Sequence, residues 1–379
     1  MGQKQVTQLL RNSIKQDKIS HAYLFGGPRG TGKTSVARIF AKAINCESGK
    51  DGDACGACEV CVSIAENRAP DFIEIDAASN RGIDDIRELR ERVHYAPLRF
   101  RYKVYVIDEA HMITDAGFNA LLKTLEEPPS HVVLILCTTL PHKLPLTILS
   151  RTLRFDFQRV SVPLMAERVK GICQAEGVEI DEGSAREIAR LAEGSVRDAI
   201  SLLEQAIVYS DGKISLEKVH ELFRLSSPAQ IVDLSVSLLA EDLQKVSELA
   251  QQMVDAGRDP EHTILELASL FEKYLLNRAY LKQAVEARKL PYPQVSDSAL
   301  ISAISECWEA SNRLRREANP TLLFKITALH LANVLRAPEE LRVSASSSPL
   351  EVNDLVSGNL PGGRVGARRP RMAKKEELV

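Results

Sequence analysis

Gly27-Pro28-Arg29-Gly30-Thr31-Gly32-Lys33-Thr34 spells G-x-x-x-x-G-K-T, and few eight-residue runs restrict a fold as tightly. An apolar run, Ala22-Tyr23-Leu24-Phe25, enters it and ends in Gly26-Gly27, and Ser35 to Ala43 leaves it with helical periodicity. Strand, loop and helix in that order are what a backbone cradle for phosphate requires. The loop must aim N–H groups inward at positions where a β-carbon would collide or forbid the conformation, and Gly27, Gly30 and Gly32 supply that freedom. Pro28, Arg29, Thr31 and Ser35 complete the wrap around a nucleotide. Lys33 is expected to reach the β- and γ-phosphates of ATP, and the Thr34 hydroxyl to take one position on Mg²⁺, with the helix N-terminus adding its dipole. A Gly-rich turn before a basic helix is the plainer alternative, and the flanking elements argue against it.

The chain has 379 residues, which suggests two or three domains, and its 44 % hydrophobic and 26 % charged residues are ordinary for a globular protein. A formal net charge of −2 carries no global nucleic-acid signature, so any DNA contact must come from a local patch or a shared assembly surface. No apolar run approaches the roughly 20 residues of a membrane span. The first residues, MGQKQVTQLLRNSIKQDKIS, read as a polar amphipathic helix without the apolar core of a signal peptide. No membrane association is expected, and the cytoplasm is the default compartment.

Of seven cysteines, Cys137, Cys173 and Cys307 stand alone in apolar or helical stretches and read as small buried hydrophobes. Cys46, Cys55, Cys58 and Cys61 belong together as C-x8-C-x2-C-x2-C, with a polar Gly/Asp-rich hairpin between the first two. Four thiolates at this spacing fit tetrahedral Zn²⁺, and a full cysteine set leaves no open position for water, so the metal is a structural staple. A disulfide pair and an iron–sulfur cluster are the alternatives.

Lys103-Val104-Tyr105-Val106-Ile107 reads as an apolar strand ending in Asp108-Glu109-Ala110-His111. Adjacent carboxylates at a strand end suit a magnesium-dependent nucleotide hydrolase: Asp108 for the metal, Glu109 to polarise the attacking water. A third strand, His131 to Cys137, closes with Thr138-Thr139, where one hydroxyl can sense the γ-phosphate or the pair can simply end a strand. Arg151, in Ser150-Arg151-Thr152, is either an ordinary surface arginine or a finger pointing out of its own domain towards a neighbour's phosphates. Beyond Thr152 the pattern is helical. Glu193-Gly194-Ser195-Val196-Arg197 looks like a helix start capped by Ser195, with Arg197 either closing on the nucleotide from a helical lid or forming a surface ion pair.

These motifs, together with Phe118-Asn-Ala-Leu-Leu-Lys-Thr-Leu-Glu-Glu-Pro-Pro129, resemble the gamma/tau subunit family of the bacterial DNA polymerase III clamp loader. The likeness runs from about Gly2 to Ser210 and is weaker beyond, although Asn319 to Leu331 still looks like the last helix of that family's collar. The resemblance implies an AAA+ ATPase with a parallel α/β sheet, a helical lid and an all-α collar. It implies a subunit ring with delta, delta-prime and further gamma/tau copies that loads a sliding clamp onto primed DNA at the nucleoid. By the same resemblance Gly27 to Thr34 match the phosphate loop, Asp108 and Glu109 the metal and catalytic carboxylates, and Thr138 or Thr139 the first sensor. Arg151 matches the finger in trans, Arg197 the second sensor, and the four cysteines the zinc ligands.

The expected boundaries are 1–160 for the nucleotide domain with its insertion at 46–61, 161–224 for the lid, 225–338 for the collar and 339–379 for a disordered tail. The tail carries a basic run from Arg364 to Lys375. Leu243, Val246, Ala250 and Met253 mark one apolar helix face of the collar. Arg81, in Ala78 to Asp84, resembles an element facing the ring's channel. Arg87, Arg90 and Arg92 in the helix that follows alternate with acids and can equally form surface pairs. Three departures from the family pattern stand out. Its Arg-x-Pro segment, which helps enclose adenine, does not precede Met1-Gly2-Gln3; that start reads as an internal one, a truncated copy or a misassigned gene start, and leaves the strength of the grip on adenine open. Thr152 replaces its usual cysteine, and the end at Val379 resembles the short gamma form. Rival readings are a branch-migration or helicase motor, and a scaffold like delta-prime without hydrolysis; intact Lys33-Thr34 and Asp108-Glu109 argue against the scaffold. No motif supplies polymerase chemistry.

Overall fold

The computed structural model describes residues 2–79, 83–281 and 295–336. Arg81 and the tail expected over 339–379 lie outside them, as does the side chain of Arg87. The chain divides into two compact units, the boundary falling between Leu222 and Phe223.

The first unit is built on five parallel strands: β1 (Ala22–Gly26), β2 (Phe72–Asp76), β3 (Lys103–Asp108), β4 (Val132–Thr138) and β5 (Leu153–Asp156), in the order β2-β3-β4-β1-β5. All seven residues of β4 are buried, which is the behaviour of a central parallel strand covered on both faces. Its side chains divide with period two. Val133, Ile135 and Cys137 join Tyr23, Phe25, Val104 and Val106 on one face; Val132, Leu134 and Leu136 join Leu24, Tyr105 and Ile107 on the other.

Helices α1 (Lys4–Lys15), α2 (Lys33–Asn45) and α3 (Glu59–Ala65) cover the first face through Val6, Leu10, Phe40, Ile44, Val60 and Ile64. The face is sealed by aromatic rings, with Tyr23 edge-on to Phe40 at 4.9 Å between centroids. Helices α4 (Ile83–Val93), α5 (Asp115–Glu126) and α6 (Leu146–Leu149) cover the second through Leu89, Phe118, Leu121, Leu125 and Ile148. The result is a three-layer α/β arrangement.

This strand order decides where the chemistry sits. Because β4 lies between β1 and β3, the chain leaving Thr138 emerges between the glycine loop after β1 and the carboxylates after β3. Gly26 is in register with Thr138, and Asp76 with Asp108. In open parallel sheets, ligands gather beyond these carboxyl ends.

The lid follows as α7 (Val162–Glu176), α8 (Glu182–Leu191), α9 (Val196–Ser210) and α10 (Leu216–Leu222). The helical expectation beyond Thr152 missed β5 and a parallel pair, β6 (Glu179–Ile180) with β7 (Lys213–Ile214). Two-residue strands have no period to read.

The second unit contains α11 (Pro228–Leu239), α12 (Leu243–Asp255), α13 (Pro260–Leu281), α14 (Asp297–Leu314) and α15 (Pro320–Val334) around a separate core that includes Leu234, Leu267, Phe271, Ala303, Phe324 and Leu331. Ser227 and Gln230 form a reciprocal capping box at the start of α11. Val246, Ala250 and Met253 enter this core as expected, but Leu243 does not. It is the first residue of α12, 47 % exposed, one turn short of the buried stripe. No helix among the described residues is long and apolar enough to cross a membrane.

Candidate nucleotide site and cysteine cluster

The loop from Gly27 to Thr34 turns on backbone conformations that a side chain would block. Gly27 has φ +144°, and a Cβ there would lie 2.3 Å from the Phe157 carbonyl oxygen. Gly30 has φ +72°, and its Cβ would lie 1.9 Å from Ser195 Oγ. The obstacles are thus other parts of the protein: the chain after β5, and the lid. Val196 N–H donates to the Gly30 carbonyl at 2.9 Å, while Ser195 Oγ caps α9 by accepting from Asp198 N–H at 3.3 Å. The loop and the first turn of the lid helix are therefore in direct contact, and Arg197, one residue further, lines the same cleft as Lys33. Its volume is about 980 Å³, ample for a nucleotide.

Lys33 is only 6 % exposed and its Nζ donates to the carbonyl oxygens of Gly27 and Pro28, each at 2.9 Å. Burial pulls its ammonium below the ordinary lysine value, and the Glu109 and Asp108 carboxylates oppose that shift. Thr31 turns inward instead, its hydroxyl donating to the Pro28 carbonyl at 2.8 Å. Arg29 and Ser35 are exposed on the cleft.

Thr34 Oγ1 donates to Asp108 Oδ2 at 2.7 Å, and Asp108 Oδ1 accepts from Glu109 N–H at 2.9 Å. A hydroxyl and a carboxylate side by side are hard oxygen donors of the kind that suit Mg²⁺. Glu109 itself adopts a left-handed backbone, φ +46° and ψ +42°, an uncommon conformation for a residue with a side chain. Its Oε2 accepts from Thr139 Oγ1 at 3.3 Å and lies 3.4 Å from His111 Nδ1. Thr138 is fully buried and spends its hydroxyl differently: Oγ1 accepts from Leu140 N–H at 3.0 Å and lies 3.1 Å from His111 Nδ1.

Arg151 is elsewhere. Its guanidinium donates to Glu126 Oε1 at 2.9 Å, the Thr147 carbonyl at 3.0 Å and Ser150 Oγ at 3.3 Å. With His21 and Glu126 it lines a separate open hollow, so the site residues of one chain converge without it.

The four cysteine sulfurs lie within 4.8 Å of one another, with Cys46–Cys58 at 3.8 Å, Cys55–Cys61 at 3.9 Å and Cys46–Cys61 at 3.7 Å. Tetrahedral zinc with metal–sulfur bonds near 2.3 Å requires ligand sulfurs about 3.8 Å apart. A disulfide needs about 2.05 Å, so the donor set fits a structural metal and no pair of these sulfurs stands at disulfide distance. N–H groups of Ala57 and Cys58 point at Cys55 Sγ and bring that thiol down to about 6, whereas burial pushes Cys61 up to about 12. Four cysteine sulfurs gathered this closely are a donor set that could hold a metal ion. An antiparallel bridge between Lys50 and Asp53 closes the intervening hairpin, and Arg11 of α1 holds Asp53 at 2.8 Å.

Residues 2–161 match the family model of the DNA polymerase III delta subunit, and residues 165–212 match that of the DNA polymerase III clamp loader subunit ATPase lid domain. Curated relatives extend the match. The DNA polymerase III subunit tau of Bacillus subtilis strain 168 is 40 % identical over 339 residues, 87 % of this chain and 60 % of the relative. The chain belongs to the DNA polymerase III clamp-loader gamma/tau family. Subunit tau of Escherichia coli K12 is 42 % identical over 273 residues, 72 % of this chain and 42 % of that protein. Subunit gamma/tau of Mycobacterium tuberculosis H37Rv is 37 % identical over 341 residues, 89 % of this chain and 56 % of the relative. The chain thus spans about half the length of these clamp-loader relatives. A solved RuvB Holliday junction branch migration motor of Thermotoga maritima, 18 % identical, aligns over 63 % of this chain and 76 % of its own with a TM-score of 0.45, too slight to carry an argument.

Several residues that shape this clamp-loader fold gave no sequence signal. Asp71 is 1 % exposed and accepts from the N–H groups of Leu98, Arg99 and Phe100 at 2.7 to 3.0 Å, anchoring the chain that leads into β3. Asn45 closes α2 onto the same segment by accepting from Tyr102 N–H at 2.7 Å. Glu126 lies inside the Phe118 to Pro129 run, but its pairing with Arg151 spans 25 positions. Arg92, weighed as a surface pair, does pair with Glu88 at i,i+4.

The metal assignment has a direct check. Purified protein is expected to hold about one zinc per chain, and chelation or Cys61→Ser to lower the melting temperature of the first unit. A colourless preparation without zinc by elemental analysis contradicts it.

Proposed function

We propose that this chain is the ATP-hydrolysing subunit of a DNA polymerase III clamp loader, using ATP binding and hydrolysis to place a sliding clamp on primed DNA during replication in the cytoplasm. Its partners are delta, delta-prime, further gamma/tau copies, the clamp and DNA. Residues 1–160 carry the nucleotide, 161–224 form the lid, and 225–338 form the collar through which copies associate. It contributes no polymerase active site. The observation that carries this reading is the contact between Thr34 and Asp108 with Glu109 beside it, while Arg151, the candidate finger, sits outside that cleft.

Each residue then has a task set by its position. Loop N–H groups from Gly27 to Thr34 and the Lys33 ammonium hold the phosphates, with Arg29 and Ser35 at the rim. Mg²⁺ supplies positive charge against the β- and γ-phosphates when bound by Thr34 Oγ1 and Asp108. Glu109 orients the attacking water and takes its proton on Oε1, since Oε2 is engaged by Thr139 and His111. Thr139 acts as the first sensor because its hydroxyl reaches Glu109, whereas that of Thr138 serves the turn. Arg197 closes on the phosphates from the lid, and Arg151 completes a neighbour's site. Zn²⁺ on the four cysteines holds the insertion and, through Arg11 and Asp53, the first helix.

ATP turnover tests the reading. The chain alone is expected to hydrolyse slowly, and addition of partner subunits, clamp and primed DNA to raise the rate by roughly tenfold or more. Turnover indifferent to clamp and DNA would overturn it.

A further inference from the structure

We propose that His111 is a positioning residue for hydrolysis: its Nδ1 fixes the Glu109 carboxylate and ties it to Thr138 at the end of β4. The proposal rests on the assignment of Glu109 as the group that takes the water's proton. A carboxylate oxygen can only accept: Glu109 Oε2 accepts from Thr139 Oγ1 at 3.3 Å, and His111 Nδ1 stands 3.4 Å from the same oxygen, an ion-pair distance that a small turn of the ring makes a hydrogen bond. The Thr139 bond is long for a hydroxyl and the His111 contact is longer than a formed hydrogen bond, so neither group alone fixes the carboxylate. Held from two sides, its rotamer is determined.

The ring is itself held. The His111 side chain is 11 % exposed, and Nδ1 lies 3.1 Å from Thr138 Oγ1, which already accepts from Leu140 N–H at 3.0 Å. Thr138 Oγ1 retains a second lone pair, so the tautomer with its proton on Nδ1 donates to that oxygen while the same N–H edge faces the carboxylate. A proton on Nε2 alone would leave a ring lone pair facing Glu109. Thr138 is also the strand residue whose carbonyl accepts from Gly27 N–H at 3.2 Å. The carboxylate that handles water is thus referenced, through His111 and Thr138, to the loop that handles phosphate. Glu109 also sits on a left-handed backbone, a sparsely populated conformation that persists where surrounding contacts hold it.

The two amide side chains separate this role from simple packing. Asparagine places its amide near the position of Nδ1, and glutamine places it near Nε2. In the assembled ring with clamp and primed DNA, His111→Ala and His111→Gln are expected to lower kcat by roughly tenfold while ATP affinity stays within about twofold, and His111→Asn to recover most of the loss. Thermal unfolding of the Asn and Gln proteins should agree, which removes folding as the cause of any difference. Equal kcat for the Asn and Gln proteins, or an Ala protein with unaltered kcat, would overturn the proposal. Glu109→Gln in the same assay keeps the two levels apart. If it abolishes turnover while the His111 variants leave kcat unaltered, positioning by His111 fails and the function stands; if it leaves turnover intact, the role of Glu109 fails and this proposal with it.

Discussion

Changing Lys33 to alanine is expected to abolish nucleotide binding while leaving the fold in place. Among the described residues Nζ makes two hydrogen bonds, both to carbonyls of its own loop, so its removal breaks no hydrogen bond to another element. The phosphates lose far more. A charge-assisted bond from a lysine is worth about 1.5 to 3 kcal/mol, and Lys33 serves two phosphates, so Kd for ATP should rise by about 100-fold or more. Fluorescence of a labelled ATP analogue titrated against wild-type and variant protein reads this directly. Retained affinity would mean that the cleft between β1, β3 and the lid is not the nucleotide site.

Arg151→Ala is the opposite case: binding should survive and turnover should not. The arginine lies outside its own chain's cleft, so ATP affinity of the isolated chain is expected to stay within about twofold. Its pairing with Glu126 is half exposed and contributes at most about 1 kcal/mol to stability, which the fold can lose. The same weakness would let the guanidinium leave Glu126 for a neighbour's phosphates, as the proposed role in trans requires. A permanently charged planar fork stabilises the charge spreading over a γ-phosphoryl group, and supplying one in trans is worth roughly 10³-fold or more in kcat. The loss should therefore be of about that size in the assembled ring and negligible in the slow turnover of the chain alone.

The parts of this site that could be read from sequence are those written into consecutive residues. The loop declares itself through glycine spacing between a strand and a helix, the carboxylates through their place at the end of an apolar strand, and the cysteines through their separations. What could not be read is carried by pairs distant in the chain. Gly30 and Ser195 are 165 positions apart, yet a Cβ on one would collide with the other, so the glycine first attributed to phosphate also makes room for the lid. His111 stands in the quoted Asp-Glu-Ala-His run, but nothing local shows that its ring falls between Glu109 and Thr138. That follows from β4 being inserted between β1 and β3, a property of strand order. The Thr138-Thr139 pair is likewise undivided in sequence, whereas in the fold the buried hydroxyl of Thr138 serves a turn and that of Thr139 reaches Glu109. Leu243 and the strands β6 and β7 failed for a simpler reason: patterns at helix ends and over two residues carry too little period to orient a side chain.

If each site is completed by its neighbour, inactive variants should complement one another. Rings assembled from Lys33→Ala chains alone, or from Arg151→Ala chains alone, are expected to be inactive with clamp and primed DNA. A ring assembled from both contains interfaces where an intact loop from an Arg151→Ala chain meets an intact arginine from a Lys33→Ala chain. Clamp- and DNA-stimulated ATP turnover of that mixture is the decisive measurement. The account predicts that it recovers a substantial fraction of wild-type activity; a mixture as inactive as either variant alone, in rings shown to contain both, would contradict a site shared between chains.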